Sequence, residues 1–110
     1  NHWPSEWQRG VLDLCVLHIL ADGPTYGYSI AARLTDAGFA DVKGGTLYPL
    51  LKRLEGAGLV DVEWRPGEAG PGRKFYLINT AGRQRLMALT ASWQRYSTTV
   101  TRLLDEGSLS

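Results

Sequence analysis

The chain is 110 residues long with 44% hydrophobic residues, enough for one modest core and too little for a second folded domain. Its net charge is +1, and its longest apolar run, Val16 to Leu20 broken by His18, falls far short of the roughly 20 residues of a membrane-spanning helix. A single cysteine, Cys15, excludes an internal disulfide framework; with no basic, apolar leader in view, the expectation is a soluble, cytosolic protein. The opening Asn1-His2-Trp3-Pro4 lacks an initiator methionine, so His2 carries no weight here.

From Ser5 to Ala21 apolar residues nearly encircle a helix, which predicts burial on most sides, within the domain or against a second copy. Asp22-Gly23-Pro24 ends it. Thr25 can cap a second helix in which Tyr26, Ile30 and Leu34 share one face, stopping near Gly38. A third helix begins no earlier than about Gly45, because Pro49 is tolerated in a first turn. Its stripe is Leu47, Leu50 or Leu51, and Leu54, with Thr46, Tyr48, Lys52 and Arg53 off the stripe.

After Gly58 the period drops to two. Val60, Val62 and Trp64 alternate with Asp61, Glu63 and Arg65 as in a half-buried strand, and Arg73 to Ile78 make a second with Phe75 and Leu77 on one face. Residues 66–72, PGEAGPG, read as a flexible loop, giving a hairpin with a long tip. Asn79 or Thr80 can cap a last helix from about Ala81 to Asp105. In it Leu86, Leu89, Trp93, Tyr96, Val100 and Leu103 follow a 3-4 heptad spacing, the seam of a helix that packs lengthwise on a partner. Roughly 25 helical residues span about 37 Å, longer than so small a domain covers alone, so this seam is the expected dimer interface.

The resulting fold class is mainly α with a two-stranded β-hairpin wing: a winged helix-turn-helix over residues 1–79, with residues 80–110 a long C-terminal dimerisation helix and tail in the same structural unit. Charge placement agrees. Between Lys43 and Arg85 eight basic residues face four acidic ones, whereas the remainder holds four basic and seven acidic. That basic segment is the third helix plus the wing.

Three stretches carry a resemblance: YGYSIAARL at 26–34, GTLYPLLKRLEGAGLV at 45–60 and GRKFYLINTAGRQRL at 72–86. Together they resemble the PadR family of transcriptional regulators, over residues 8 to 105 or so and in its smaller branch with a single C-terminal helix. The resemblance implies a homodimeric repressor on a palindromic double-stranded DNA operator, with the last helix packed on the partner's first. It also implies, in some members, a tryptophan at the dimer centre that accepts planar aromatic compounds.

DNA contact is therefore expected at Lys43, Gly45, Thr46, Tyr48 and Lys52 of the third helix and at Arg65, Arg73 and Lys74 of the wing; which of Thr46, Tyr48 and Lys52 reads bases stays open. For Tyr48 the bland alternative is a ring packed inward, and for the wing cations a merely solubilising role. Trp93 with Leu89, Trp7 and Leu14 would line a site for an aromatic effector, unless Trp93 only packs the interface. Neither a cofactor nor a metal is expected: Cys15 and His18 share a helix face but lack further ligands at metal spacing, and no nucleophile or phosphate-loop motif is present. A winged-helix module that binds protein instead of DNA is the competing reading, kept open by the moderate net charge.

Overall fold

The computed structural model describes residues 3–40, 42–67 and 70–108. Its elements run α1 (Ser5–Ala21), β1 (Thr25–Tyr26), α2 (Gly27–Asp36), α3 (Gly44–Gly56), β2 (Val60–Gly67), β3 (Gly70–Ile78) and α4 (Thr80–Ser108). Among the described residues, no helix is long and apolar enough to cross a membrane.

The core forms where four helix faces and one sheet face converge. Leu12, Val16, Leu17 and Leu20 of α1, Ile30 and Leu34 of α2, and Leu47, Leu50, Leu51 and Leu54 of α3 are buried together with Val60 and Tyr76. Each such side chain contributes about 2 kcal/mol relative to exposure. All four α3 leucines are used, so both Leu50 and Leu51 belong to the stripe. α3 ends in a Schellman turn: Gly58 takes a φ of 75°, the Leu59 N–H donates to the Leu54 carbonyl at 3.0 Å, and the chain leaves directly into β2.

Four local expectations are corrected. Thr25 does not cap α2. Together with Tyr26 it is extended and pairs antiparallel with β3, Thr25 opposite Tyr76 and Tyr26 opposite Phe75, so the sheet has three strands in the order β1-β3-β2. A β-branched and an aromatic residue suit that pairing, which covers what would otherwise be an open edge of β3. Tyr26 consequently leaves the inward face of α2, which is made by Gly27, Ile30 and Leu34.

The expected loop at 66–72 is mostly strand. Pairing runs from Val60–Ile78 out to Gly67–Gly70, with an irregularity between Arg65 and Gly67, where Pro66 on β2 faces both Pro71 and Gly72 on β3. Glycine makes this possible, because a Cβ at Gly72 would lie 2.9 Å from the Arg65 carbonyl oxygen and one at Gly67 only 2.6 Å from that of Pro71. The expected tip residues Glu68 and Ala69 lie outside the described residues, as does His2.

Register sets the inward face of the hairpin, and Phe75 and Leu77 share a face as expected. Tyr76 is buried and Ile78 partly so, opposite Val62 and Val60, while Phe75 and Leu77 lie on the other face. Trp64, expected to continue the buried alternation, is 69% exposed, because the hairpin has by then passed beyond the helices. Finally, α3 starts at Gly44 and Pro49 lies in its second turn. The proline deprives the Gly45 carbonyl of its helical donor, but both residues are exposed and water can replace it.

α4 is longer than expected, and its 29 residues span about 43 Å. It gives the molecule its 62 Å long axis against 30 and 21 Å across. Its direction is fixed at Asn79, whose side-chain Oδ1 accepts the Gly82 N–H at 2.9 Å while its Nδ2 donates to the Gly58 carbonyl at 2.9 Å and to Asp61 at 3.3 Å. Asn79 rather than Thr80 is thus the cap. Gly82 is buried against the Leu59 carbonyl, with no space for a Cβ.

Replacing Asn79 by alanine should lower stability by about 1–2 kcal/mol, the range for a lost N-cap. Gly82→Ala should lower it further, because the added carbon meets backbone. Urea unfolding followed by circular dichroism checks both; an Asn79→Ala midpoint equal to wild type would remove the junction from this account.

Candidate nucleic-acid interface and helical seam

Burial of the leucine stripe determines what α3 shows to solvent. Lys43 precedes the helix in extended conformation, its carbonyl accepting the N–H groups of Thr46 at 2.9 Å and Leu47 at 2.8 Å. Lys43, Gly44, Gly45 and Thr46 are all exposed, so a cation, unpaired first-turn N–H groups and a hydroxyl sit at the positive end of the helix dipole. Tyr48 is 54% exposed, but its ring is held from both sides: a Cβ at Gly27 would lie 2.7 Å from its hydroxyl oxygen, and one at Gly44 3.3 Å from the ring. The packed ring and the outward phenol edge therefore coexist. Lys52 follows one turn later on the same edge, exposed. Arg53 turns the other way and donates to Asp13 of α1 at 2.6 Å.

The wing brings its cations onto aromatic rings. The Arg73 guanidinium carbon lies 4.6 Å from the Tyr26 ring centre and that of Arg65 4.3 Å from Phe75, so each cation sits over a π face. Arg65 also donates to Glu63 at 3.0 Å, and Lys74 reaches Glu55 of α3 at 3.4 Å. Burial works against the Lys74 ammonium, but the nearby Tyr76 and Glu55 outweigh it and raise its pKa. Among the described residues no ion pair involves Lys43, Lys52 or Arg73.

Tyr48, Arg73 and Lys74 come together around a groove of about 470 Å³ between α2, α3 and β3, joined by Tyr26 and Tyr28. Arg65 does not line it, and Thr46 and Lys52 stand along the free edge of α3. Sequence reasoning missed both tyrosines. Tyr28, 77% exposed on the first turn of α2, was legible as a phenol off the buried face of that helix; Tyr26 became visible only once β1 placed it under Arg73.

Elsewhere α1 and α4 pack against each other. Leu86 and Leu89 pack on the domain's own core, whereas Tyr96, Val100 and Leu103 are exposed, together with Leu104. Trp93 sits at the changeover, 44% exposed, its ring 6.4 Å from that of Tyr96. It forms a wall shared by three grooves, one of about 510 Å³ reaching Trp7, one of about 460 Å³ reaching Leu14 and Leu89, and one of about 350 Å³ reaching Leu14, Cys15 and Phe39. The other three residues expected to line an effector site, Leu89, Trp7 and Leu14, thus lie around Trp93, although none of these grooves holds them all. Burial pushes the Cys15 thiol above its ordinary pKa, and among the described residues no three His, Cys, Asp or Glu side chains could hold a metal ion.

Residues 16–88 match the sequence profile of the transcriptional regulator PadR-like family. The chain is 40% identical over 81 residues to transcriptional regulator Rv3488 of Mycobacterium tuberculosis, covering 74% of each protein. It is also similar to two solved structures. A PadR-like regulator of Bacillus cereus superposes with a TM-score of 0.81 at 36% identity, over 90% of this chain and 96% of that one. A PadR family regulator of Eggerthella lenta gives 0.82 at 37% identity, over 90% and 86%.

The ion pairs rank the cations. Lys52→Gln, which removes an unpaired charge, should weaken DNA binding at all sequences and reduce the slope of log affinity against log salt by about one. Glu55→Gln should tighten binding by up to about fivefold, because Lys74 is released from an exposed ion pair. Fluorescence anisotropy across a salt series checks both, and weaker binding by the Glu55 variant would contradict the ranking.

Proposed function

The chain belongs to the PadR-like family of DNA-binding transcriptional regulators, and from that premise we propose that it is a homodimeric repressor acting in the cytoplasm on a palindromic operator, released by a planar aromatic effector. The observation that carries the reading is the pairing of two surfaces on one rigid frame: an exposed basic edge on α3 and, across the core, an apolar seam on α4 that its own domain leaves uncovered.

In this reading Lys43, Gly45, Thr46, Tyr48 and Lys52 enter the major groove. Lysine and the first-turn N–H groups meet phosphate, and hydroxyls meet phosphate or base edges. Arg65, Arg73 and Lys74 hold the flanking backbone. Residues 1–79 are the reading head and residues 80–110 the dimerising segment. Tyr96, Val100 and Leu103 meet the partner, with Trp93 at the inner end of that uncovered stretch, while Leu86 and Leu89 continue the same spacing but pack on the chain's own core. Four exposed large apolar side chains in the outer half of one helix, Tyr96, Val100, Leu103 and Leu104, fall at i, i+4, i+7 and i+8 and so share one face, the kind of surface that suits a partner.

Two copies related by a two-fold axis place their α3 helices in successive major grooves about one helical turn apart. An effector seated beside Trp93 lies at the junction of the two copies. It shifts the angle between the reading heads and releases DNA in proportion to its preference for one arrangement.

Titration of the protein onto its own promoter DNA should show sequence preference and a steep loss of affinity with salt; flat salt dependence with no sequence preference favours a protein partner instead. In sedimentation the wild type should run as a dimer and Leu103→Asp should shift toward monomer, with DNA affinity falling alongside. A Leu103→Asp protein that stays dimeric places the interface elsewhere.

A further inference from the structure

We infer that Tyr26 is a positioning residue for DNA: its ring, carried by the short strand β1, holds the Arg73 guanidinium in place so that the N–H groups of Arg73 meet a backbone phosphate of the operator. The inference rests on the reading of the wing as a DNA-contacting element and adds a residue that acts through another.

One face of the three-stranded sheet carries a cluster of rings and cations. Tyr26 of β1 lies opposite Phe75 of β3, with ring centres 5.3 Å apart, and two residues further out Arg73 of β3 lies opposite Arg65 of β2. Each arginine reaches back diagonally onto a ring, Arg73 to 4.6 Å from the centre of Tyr26 and Arg65 to 4.3 Å from that of Phe75. Like charges directly opposite one another across a strand pair repel, and Glu63 offsets only one of them, by accepting from Arg65 at 3.0 Å. Arg73 has no ion pair among the described residues. A phosphate beside it would relieve the repulsion.

A cation over a ring is restrained without using its N–H donors, so the guanidinium fork stays available for two phosphate oxygens. Tyr26 and Arg73 both line the groove of about 470 Å³ beside α3, together with Lys74 and the phenols of Tyr28 and Tyr48. Among the described residues no carboxylate lines it. Tyr48 also belongs to the outward edge of α3, so the groove adjoins the proposed reading edge.

Restraint matters because an exposed arginine is otherwise free to adopt many rotamers. A ring that holds it beforehand moves that loss of freedom from binding to folding. Main-chain pairing of β1 with β3 does not need the ring, so the two roles of Tyr26 are separable.

Fluorescence anisotropy of the full chain on its own promoter DNA across a salt series tests this. Tyr26→Leu should weaken binding by about threefold per reading head, hence about tenfold for a dimer, while Tyr26→Phe, which keeps the ring, should match wild type. Arg73→Gln should weaken binding at least as much and lower the salt slope by about one per head. Adding Tyr26→Leu to it should then change affinity by less than about twofold. If Tyr26→Leu does not fold, Tyr26→Ile, which suits a strand, takes its place. In the free wild-type protein the ring current should also move the Arg73 side-chain proton signals upfield. Full affinity in Tyr26→Leu, an equal loss when it is added to Arg73→Gln, or unshifted Arg73 signals would overturn the inference and leave the DNA-binding reading standing. Equal weakening by Tyr26→Phe would do the same, because the hydroxyl and not the ring would then be at work. Flat salt dependence without sequence preference in the wild type would overturn both.

Discussion

The arrangement depends on the burial of four leucines along one side of α3. Leu47, Leu50, Leu51 and Leu54 are held at 4% exposure or less against α1, α2 and the sheet, which leaves the helix a single way to lie. Once that side faces in, the edge with Thr46, Tyr48 and Lys52 must face out, with Lys43 and the unpaired N–H groups leading. Only Tyr48 has a further restraint, the close approach of Gly27 and Gly44 to its ring. Sliding the apolar stripe around the helix by one position would aim them at the core.

The same packing propagates outward through short contacts. Gly58 turns the chain from α3 straight into β2, and Asn79 ties that turn to the end of β3 and the start of α4. The reading edge, the wing and the long helix are therefore fixed to one another within a few residues. A displacement of α4 cannot be absorbed by a flexible linker, because none intervenes between Ile78 and Thr80 beyond Asn79 itself. That rigidity gives the α1–α4 grooves their interest: in the proposed dimer, a ligand beside Trp93 would push on the element proposed to set the spacing of the heads.

Much of this was legible from residue pattern. The bounds of α1, the leucine stripe of α3, the two-residue period at Val60 and Val62 and the heptad spacing of α4 come from local rules that tertiary contacts reinforce. The misreadings have a common cause in contacts between residues distant in sequence. Thr25 resembles a cap until β3 offers it a strand partner. PGEAGPG resembles a loop because glycine and proline usually interrupt strands, but at Gly67 and Gly72 the missing Cβ lets two backbones meet. Trp64 resembles a further inward residue of its strand until the hairpin is seen to pass beyond the helices. The α4 seam mixes two roles that spacing cannot separate, since Leu86 and Leu89 serve the chain's own core while Tyr96, Val100 and Leu103 do not. In the site, the cations were readable as charges but their pairing was not: Lys74 with Glu55 and Arg53 with Asp13 join positions 19 and 40 residues apart.

The central claim is that one buried stripe aims a reading edge whose distance from its twin is set by α4. Hydroxyl-radical footprinting of the protein on DNA from its own regulatory region measures that geometry directly. Two protected patches on one face of the duplex, centred about one helical turn apart and related by an inverted repeat, are the expected result. A single protected patch, or two whose separation puts them on opposite faces of the helix, would contradict the account.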